Sequence, residues 1–284
     1  MSESFSYEDV IDGVKSAIKQ AQTVLPKDVV QALEKAEKSE SEDVAKSHLQ
    51  AILKNVSIAK EKSIPMCQDT GIFIFKVEIG RNIVLPFNLE EALREALRQA
   101  TLEIPLRPNA VHPITRHNSN DNTGVGLPDI KYSFIDEDEL RVTVVPKGAG
   151  SENMSVLKMM NPTEVNSIDD FILESVFNAG GKPCPPVIVG VGVGGSFDKS
   201  AILAKTSLLR DVQDMDEEEL HLLRRINSLG IGPMGMGGDT TALAVHINKA
   251  HCHTASLPVA INIQCWANRH STVVFRRGSQ WNII

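Results

Sequence analysis

The sequence predicts an α/β protein in which mixed sheets are flanked by helices and the N-terminal region is helical. Two observations lead to this prediction. Residues 1–62 carry apolar side chains at helical spacing. After that region, short runs rich in branched and aromatic residues alternate with further segments of helical spacing. Neither a linker nor an internal repeat is evident, so we expect a single domain over residues 1–284.

The composition restricts the classes of function. Hydrophobic residues make up 42% of the chain, which is enough for one large core or two modest ones. The net charge of −7 provides no basic face, so we expect no nucleic acid partner. The N-terminus lacks a basic stretch followed by an apolar run, and no window approaches the roughly 18 apolar residues of a membrane span. We therefore expect a cytoplasmic protein that does not bind membranes.

Three helices are expected in the N-terminal region. Ser6 and Asp9 have the spacing of a capping box at the start of the first. The apolar stripe of the third is interpreted as including Val44 and His48, so His48 is predicted to belong to the core rather than to a ligand site. The expected helices run up to Pro26, from Pro26 to about Glu37, and from Ser41 to Lys62.

The middle of the chain predicts strands, a hairpin and helices. Residues 72–79 should form a largely buried strand, and Asn88 should cap the helix that follows. Residues 131–134 and 140–145 are predicted to pair as a hairpin around an acidic turn. The glycine-rich turn at 146–153 should open a helix that runs to Met160. Its N–H groups could receive an anion, although an ordinary helix start is a serious alternative.

The last third predicts alternating helices and strands. The expected helices are 168–178, 196–209 and 216–229, and the expected strands are 187–193, 242–247 and 257–263, with one short apolar strand near the C-terminus.

A glycine run between a predicted strand and helix matches the dinucleotide-binding pattern G-x-G-x-x-G at Gly190, Gly192 and Gly195. The acidic residue expected about 20 residues later, at the end of a second strand, is absent. We therefore interpret these glycines as positions where backbone packs closely.

Two irregular segments are candidates for function. Residues 105–128 form a polar loop with several prolines, and a loop of this length inside a compact domain is usually functional or disordered. In residues 64–72, Cys67, Gln68 and Asp69 stand together between Pro65 and Gly71, which break regular structure. Taken alone, this motif is better explained as a buried cysteine with Asp69 capping a turn. Together with the other segments of the chain, we interpret the turn as the centre of an active site.

Four cysteines are spread over the chain without C-x-x-C spacing, which argues against a zinc knuckle or a thioredoxin-like pair. Disulfides are not expected in a reducing compartment, so buried thiols or metal ligands remain. Cys67 and Cys184 each lie beside proline in a loop. A cluster assembled from distant segments needs no short spacing between its cysteines.

Taken together, seven ordered motifs resemble the α subunit of iron–sulfur fumarate hydratases and tartrate dehydratases, the class I hydro-lyases. The resemblance extends along nearly the whole chain. The motifs are Met-Cys-Gln-Asp-Thr-Gly at 66–71, Leu-Arg-Pro-Asn at 106–109, Asp-Asn-Thr-Gly at 121–124, Lys-Gly-Ala-Gly-Ser-Glu-Asn at 147–153, Cys-Pro-Pro at 184–186, Leu-Gly-Ile-Gly-Pro at 229–233 and Gln-Cys-Trp-Ala at 264–267.

The resemblance implies a [4Fe–4S] cluster with one iron open to substrate. Its cysteine ligands would be Cys67, Cys184 and Cys265, with Cys252 not used. An open iron is a Lewis acid that can bind and polarise a hydroxyl group.

The same resemblance implies the substrate contacts. Within the family, the motifs around Arg107 and Gly150 are closer to the fumarate enzymes than to the tartrate enzymes. His253 corresponds to a family histidine near the cluster. A purely structural role for His253, without contact to cluster or substrate, is an equally open alternative. The implied contacts with a small dicarboxylate are Gln68, Asp69, Arg107 and Gly150.

The expected reaction is therefore reversible hydration of fumarate to L-malate, a step of the tricarboxylic acid cycle. Tartrate or a methyl-substituted dicarboxylate stays open as substrate, because one substituent changes binding by only about 1–3 kcal/mol. We find no catalytic base with supporting residues in the sequence. The resemblance implies that a separate β subunit supplies it, in an α2β2 assembly.

Two other classes of function stay open. The glycine run permits a nicotinamide-dependent oxidoreductase, and incidental cysteines would fit a non-catalytic partner subunit. Iron and sulfide analysis of protein purified without oxygen distinguishes these alternatives from an iron–sulfur hydro-lyase.

Overall fold

The structure is a computed structural model that describes residues 5–276, 278 and 280–284. The chain forms two compact units. Unit 1 consists of the described residues of 1–25, 56–148 and 269–284, and unit 2 consists of 26–55 and 149–268. Each unit contains a mixed sheet with helices, so the predicted α/β class is confirmed. A single domain over residues 1–284 stays a prediction.

The elements of the described residues are numbered in chain order. The helices are α1 (Tyr7–Thr23), α2 (Lys27–Ser39), α3 (Asp43–Lys62), α4 (Leu89–Glu103), α5 (Ala149–Glu152), α6 (Ile168–Ala179), α7 (Phe197–Ser207) and α8 (Glu217–Asn227). The strands are β1 (Ile72–Gly80), β2 (Asp129–Ile135), β3 (Glu139–Lys147), β4 (Val156–Met160), β5 (Val187–Val193), β6 (Ala242–Lys249), β7 (Leu257–Gln264), β8 (Ser271–Arg276) and β9 (Asn282–Ile283).

The N-terminal region is helical, as predicted. Ser6 and Asp9 form the expected capping box, in which the Asp9 N–H donates to Ser6 Oγ at 3.1 Å. The predicted stripe of α3 is confirmed at Ile52, Val56 and Ala59 but wrong in its first turns, because Val44 is 57% exposed and His48 is half-buried. The buried positions of α3 are Ala45, Leu49, Ile52, Val56 and Ala59. The observed register buries larger apolar side chains than the predicted one. The free energy gained from their burial exceeds what burial of a valine and an imidazole would contribute.

The sheet of unit 1 has the strand order β2-β1-β3-β8-β9. Helices α1 and α4 share one apolar core with this sheet, and Phe73, Phe75 and Val77 of β1 lie in that core. Asn88 caps α4 through its side chain, as predicted.

The predicted hairpin of β2 and β3 is wrong, because β1 lies between them. Strand β2 runs parallel to β1, and β3 runs antiparallel to β1. The physical reason is burial. Phe73, Ile74, Phe75 and Val77 of β1 are buried, which favours a position between two neighbours, whereas residues 131–134 of β2 are all exposed and suit an edge.

The sheet of unit 2 has the strand order β4-β7-β5-β6, with β5 parallel to β6 and antiparallel to β7. Helices α6 and α8 contribute to its core. The predicted helix to Met160 is wrong. Only α5, of four residues, forms there, and β4 follows because its backbone pairs with β7. Such a short helix supports the ordinary helix start rather than an anion site.

The glycines of β5 allow α7 to lie directly on the sheet. A Cβ atom at Gly192 would lie 2.0 Å from the Ser200 carbonyl oxygen, and one at Gly190 would lie 2.2 Å from that of Ala204. These distances support the interpretation that the glycines serve close packing.

We expect Gly192→Ala to lower the free energy of unfolding by about 1–3 kcal/mol, because α7 must move away from β5 to admit the methyl group. Urea unfolding of the full chain measures this. Gly230→Ala would be a poor control because Gly230 has a φ of +66°. Gly124→Ala is suitable, since apart from its two chain neighbours no described residue has an atom within 4 Å of a Cβ there. Equal losses in the two variants would contradict the packing argument.

His246 of β6 is fully buried in unit 2, and neither ring nitrogen has a hydrogen-bond partner among the residues that the structure describes. Its Nδ1 lies 4.0 Å from Glu219, which is itself bound by Arg210. Burial lowers the pKa of His246 because it disfavours the charged ring, and the charge of Arg210 adds to this effect. The imidazole is therefore neutral in the folded chain near neutral pH.

We expect this histidine to make folding less favourable in acid. The unfolded chain takes up the proton near the ordinary pKa of 6.5, above the lowered pKa of the folded chain. The stability associated with neutral His246 is therefore present above pH 6.5 and is lost as the pH falls toward the folded pKa. Urea unfolding of wild type and His246→Leu between neutral pH and pH 5 measures the slope. An unchanged slope in the variant would contradict this assignment.

Candidate active site

The turn that carries Cys67 precedes β1 in unit 1, and it is bound to the segment that carries Arg107. Thr70 is buried, and its hydroxyl donates to the Arg107 carbonyl oxygen at 3.1 Å. In return, the Arg107 N–H donates to Thr70 Oγ1 at 3.0 Å. Arg107 Nη2 lies 3.5 Å from Gln68 Oε1, and both side chains are exposed. The structure therefore brings together three of the predicted site residues, Gln68, Asp69 and Arg107.

Asp69 is held at the junction of the turn and β1. Its Oδ1 accepts from the Gly71 N–H at 3.0 Å, and the Asn109 amide lies 3.5 Å from the same oxygen. A Cβ atom at Gly148 would lie 3.0 Å from Asp69 Oδ2. Gly71 has a φ of +79°, which favours glycine. These contacts fix the direction of the Asp69 carboxylate.

The long loop at 105–128 is irregular, as predicted, and it is folded around Asn122. This side chain is buried and donates through Nδ2 to the Arg107 carbonyl oxygen at 3.0 Å. Its Oδ1 accepts from the Asn109 N–H at 2.7 Å. Asn122 therefore supports both loop residues that reach the Cys67 turn.

Two further residues hold the same turn, and sequence reasoning missed them. Arg269 is 1% exposed, and its guanidinium donates to Gln22 Oε1 and to the Asp69 carbonyl oxygen, each at 2.9 Å. The Gln22 side-chain amide donates to the Thr70 carbonyl oxygen at 2.8 Å. The main-chain carbonyl oxygen of Gln22 accepts the Met66 N–H at 3.0 Å. The only signal in the sequence was an arginine close behind the Gln-Cys-Trp-Ala motif.

We expect Arg269→Met to lower the free energy of unfolding by about 3 kcal/mol, because it leaves two buried acceptors without their charged donor. Thermal and urea unfolding of the full chain measure the loss. Arg98→Met is the control, since Arg98 is an exposed residue of α4 and should change stability by less than about 0.5 kcal/mol. Losses of similar size in the two variants would contradict a supporting role for Arg269.

Cys184 and Cys265 lie in neighbouring loops at one end of β5 and β7 in unit 2. The Trp266 N–H donates to the Cys184 carbonyl oxygen at 3.3 Å, and Ile188 is paired with Gln264. Cys184 has a φ of +56°, and its N–H donates to the Gly181 carbonyl oxygen at 3.1 Å. The structure therefore brings together two of the three predicted ligand cysteines within one unit.

Gly150 and His253 lie in different parts of unit 2. A Cβ atom at Gly150 would lie 3.5 Å from the Lys182 carbonyl oxygen, so Gly150 is near the loop that leads to Cys184. His253 is exposed in the loop between β6 and β7, where its Nδ1 accepts the Ala255 N–H at 3.1 Å. The eight residues of β7 separate it from Cys265, a distance of about 27 Å along the strand. Unit 2 therefore does not bring His253 beside Cys184 and Cys265.

The donor chemistry of the thiols fits an iron–sulfur cluster. Cys67, Cys184 and Cys265 are half-buried, whereas Cys252 is exposed. Within the described ranges, no three or more histidine, cysteine, aspartate or glutamate side chains converge as for a single metal ion. A [4Fe–4S] cluster binds each cysteine through a different iron, so its ligands need not converge on one atom.

None of the helices in the described part of the chain is long and apolar enough to cross a membrane.

Comparison with known proteins first defines the class of protein. The chain matches the family described as fumarate hydratase (fumerase) over residues 11–274, so the class is that of hydro-lyases. The chain belongs to the fumarate hydratase family, and the resemblance inferred from its motifs is confirmed. Membership favours a hydro-lyase over a nicotinamide-dependent oxidoreductase.

Similar relatives carry two kinds of name. The chain is 48% identical to a putative L(+)-tartrate dehydratase subunit alpha of Methanocaldococcus jannaschii, covering 92% of this chain and 96% of the relative. It is 33% identical to an L(+)-tartrate dehydratase subunit alpha of Escherichia coli K12, covering 89% and 86%. It is 36% identical to a putative fumarate hydratase class I of Geobacillus stearothermophilus, covering 92% of this chain but only 54% of that relative. The chain therefore spans about half the length of the Geobacillus protein.

Proposed function

We propose that the chain is the α subunit of a [4Fe–4S]-dependent hydro-lyase that reversibly hydrates fumarate to L-malate. One observation carries the proposal. In a chain of the fumarate hydratase family, the turn with Cys67, Gln68 and Asp69 is hydrogen-bonded to the segment that carries Arg107. Reaction of a dicarboxylate needs a cationic group and hydrogen-bond donors that face a carboxylate, and this arrangement offers both.

Cys67, Cys184 and Cys265 would hold the cluster, and their partial burial supports that role. When bound, the cluster supplies a Lewis-acidic iron that polarises the C–O bond being formed or broken.

The side chains of unit 1 would bind and orient the substrate. Proton removal beside a carboxylate builds negative charge on that carboxylate, and the planar fork of Arg107 can stabilise it through two hydrogen bonds. Gln68 lies next to Arg107 and would donate its amide N–H groups to the same ligand. Asp69 is oriented by Gly71 and Asn109, which suits a fixed contact with a hydroxyl group. Gly150, which has no side chain, would let its backbone approach the substrate.

A separate β subunit would supply the catalytic base, in an α2β2 assembly. The relatives named subunit alpha support a partner subunit. The Geobacillus relative, of which this chain spans 54%, is long enough to contain a second part in one chain. We place the enzyme in the cytoplasm and in the tricarboxylic acid cycle as part of this proposal.

Dehydration of L(+)-tartrate is the second candidate. The names of the relatives from Methanocaldococcus and Escherichia coli favour it. Fumarate and tartrate are both four-carbon dicarboxylates, so Arg107 would serve either. The motifs around Arg107 and Gly150 favour fumarate.

Anaerobic assay of the complete enzyme tests the proposal. The chain is coproduced with a candidate β subunit, purified without oxygen and assayed with fumarate, L-malate and L(+)-tartrate, together with iron and sulfide analysis. We expect about four irons per α chain, as a [4Fe–4S] cluster requires, and a higher kcat/KM for fumarate than for tartrate. A higher kcat/KM for tartrate would establish the second candidate. An iron-loaded complex that is inactive on all three acids would contradict both.

A further inference from the structure

A cleft of about 670 Å³ lies between helix α2 and the other elements of unit 2. Clefts of about 300–1,000 Å³ are typical of sites for small molecules. The walls come from α2, α8, the loop before α8 and the beginning of β6. Of the described residues that line it, none is a proposed ligand or substrate residue. We call it the Thr240 cleft and define it by Ala36, Leu220, Leu223, Asn227, Thr240 and Leu243.

Hydrogen bonds at both ends of helix α2 hold the cleft open. In the first turn, Asp28 Oδ2 accepts the Val212 N–H at 2.9 Å. Just after the last turn, the buried Glu40 accepts the Asp239 N–H through Oε1 at 2.9 Å. Between these two contacts, the helix presents small side chains to the cleft, namely Ala32, Ala36 and Ser39. The helix therefore lies across the cleft, and the space is part of the folded structure of unit 2.

The opposite wall of the cleft is largely apolar. Leu220 and Leu223 are three residues apart on α8, so they lie on the same face of that helix. Leu243 of β6 adds to this wall and is 8% exposed. Apolar side chains beside a space without protein atoms lose van der Waals contacts, which an apolar ligand would restore.

Two polar groups in the cleft lack partners within the described part of the chain. Thr240 is only 9% exposed, and its hydroxyl forms no hydrogen bond there. Asn227 Oδ1 accepts the N–H groups of Thr241 and Ala242 at 2.9 and 2.8 Å, and nothing accepts from its Nδ2. A buried polar group without a partner is unfavourable, so a ligand that bonds to both groups would be stabilised.

Lys35 determines the charge that the cleft accepts. Among the described lining residues it is the only charged one, and it forms no ion pair with a described residue. Its ammonium group, the Thr240 hydroxyl and the Asn227 amide can all donate to a carboxylate oxygen. A second carboxylate would face the apolar wall without a partner, which is costly. The lining therefore favours a single carboxylate on an apolar body.

We propose that the Thr240 cleft binds a monocarboxylate with an apolar body, such as a medium-chain fatty acid. The carboxylate accepts hydrogen bonds from Thr240, Asn227 and Lys35, and the apolar body lies against the leucines of α8 and β6. This site goes beyond the proposed hydro-lyase reaction and does not depend on it.

Calorimetric titration with octanoate tests the site in the α chain purified with its β subunit. We expect a Kd below about 1 mM for octanoate. Octylamine has the same alkyl chain with a positive charge and should bind at least about 10-fold more weakly, because its ammonium group would meet only donors.

Filling the cleft tests the location. Ala36→Leu should weaken octanoate binding at least about 10-fold, because the larger side chain occupies the space of the ligand. Ala51→Leu is the matched control, since Ala51 is an exposed residue of α3, and it should keep the Kd of wild type. Alanine and leucine both favour helix, so both variants should fold, and urea unfolding verifies this.

Polar variants test the carboxylate contacts. Thr240→Val keeps the shape of the side chain but removes the hydroxyl, and should weaken octanoate binding about 5- to 10-fold. Lys35→Gln should weaken it about 2- to 5-fold, because the lysine is exposed. Lys38→Gln is the matched control, since Lys38 is also exposed on α2 but does not line the cleft.

Several results would overturn the proposal: no binding of octanoate, octylamine bound as tightly as octanoate, or the same Kd in Ala36→Leu and Ala51→Leu. Equal effects of Lys35→Gln and Lys38→Gln, or an unchanged Kd in Thr240→Val, would also overturn it. Binding is measured without turnover, so these results are independent of the proposed reaction.

Discussion

Cys184→Ser is expected to remove both the iron–sulfur absorption and the activity of the anaerobically purified enzyme. Serine is a poor ligand for iron compared with a thiolate. The loss of activity should exceed the roughly 10- to 100-fold that removal of an outer-shell partner costs at a metal site. Iron, sulfide and absorption spectra are measured together with turnover, so loss of cluster is distinguished from loss of chemistry. Cys67→Ser and Cys265→Ser should behave in the same way.

Cys252→Ser is the control, because Cys252 is the exposed cysteine. We expect it to keep its iron content and its turnover. Two outcomes would remove the proposed ligand set: full iron content in any of the three ligand variants, or loss of iron in Cys252→Ser. Unfolding curves of the apo chains show whether a variant has failed to fold rather than failed to bind iron.

Arg107→Lys is expected to lower kcat/KM about 10- to 100-fold while the cluster spectrum stays unchanged. Lysine keeps the charge but loses the bidentate fork, and a hydrogen bond between charged groups contributes about 1.5–3 kcal/mol. Anaerobic steady-state kinetics with fumarate and with L-malate measure the effect. The backbone contacts of Arg107 with Thr70 do not involve its side chain, so the loop should stay folded.

Arg116→Lys provides the matched control for this experiment. Arg116 lies in the same loop, is exposed, and has the same change of side chain. We expect its kinetics to equal those of wild type. If the two variants have the same kinetics, Arg107 does not bind the substrate, and unit 1 must bind the carboxylate through another residue.

Local elements could be predicted from the sequence where one segment contains its own determinants. Ser6 with Asp9 and Asn88 with Glu91 form their predicted caps, because the partners are three residues apart on the same helix. Residues 72–79 form a strand because their branched and aromatic side chains disfavour other structures at a buried position.

Pairing between distant segments could not be predicted in the same way. Two strands joined by a short acidic turn indicated a hairpin. Instead, both strands pair with β1, because the apolar residues of β1 are more fully buried in a central position. Residues 156–160 had no strong pattern of their own, and β7 supplied the hydrogen bonds that make them a strand.

The sequence by itself determined the α/β class, the family and the candidate ligand and substrate residues, because these depend on residue types in short ordered motifs. Only the tertiary structure decided which groups support them. Gln22 and Arg269 are 247 residues apart, and their contact with the Cys67 turn depends on the packing of α1 against the sheet rather than on any local pattern. The tertiary structure likewise separated His253 from Cys265, because a strand of eight residues extends its two ends in opposite directions.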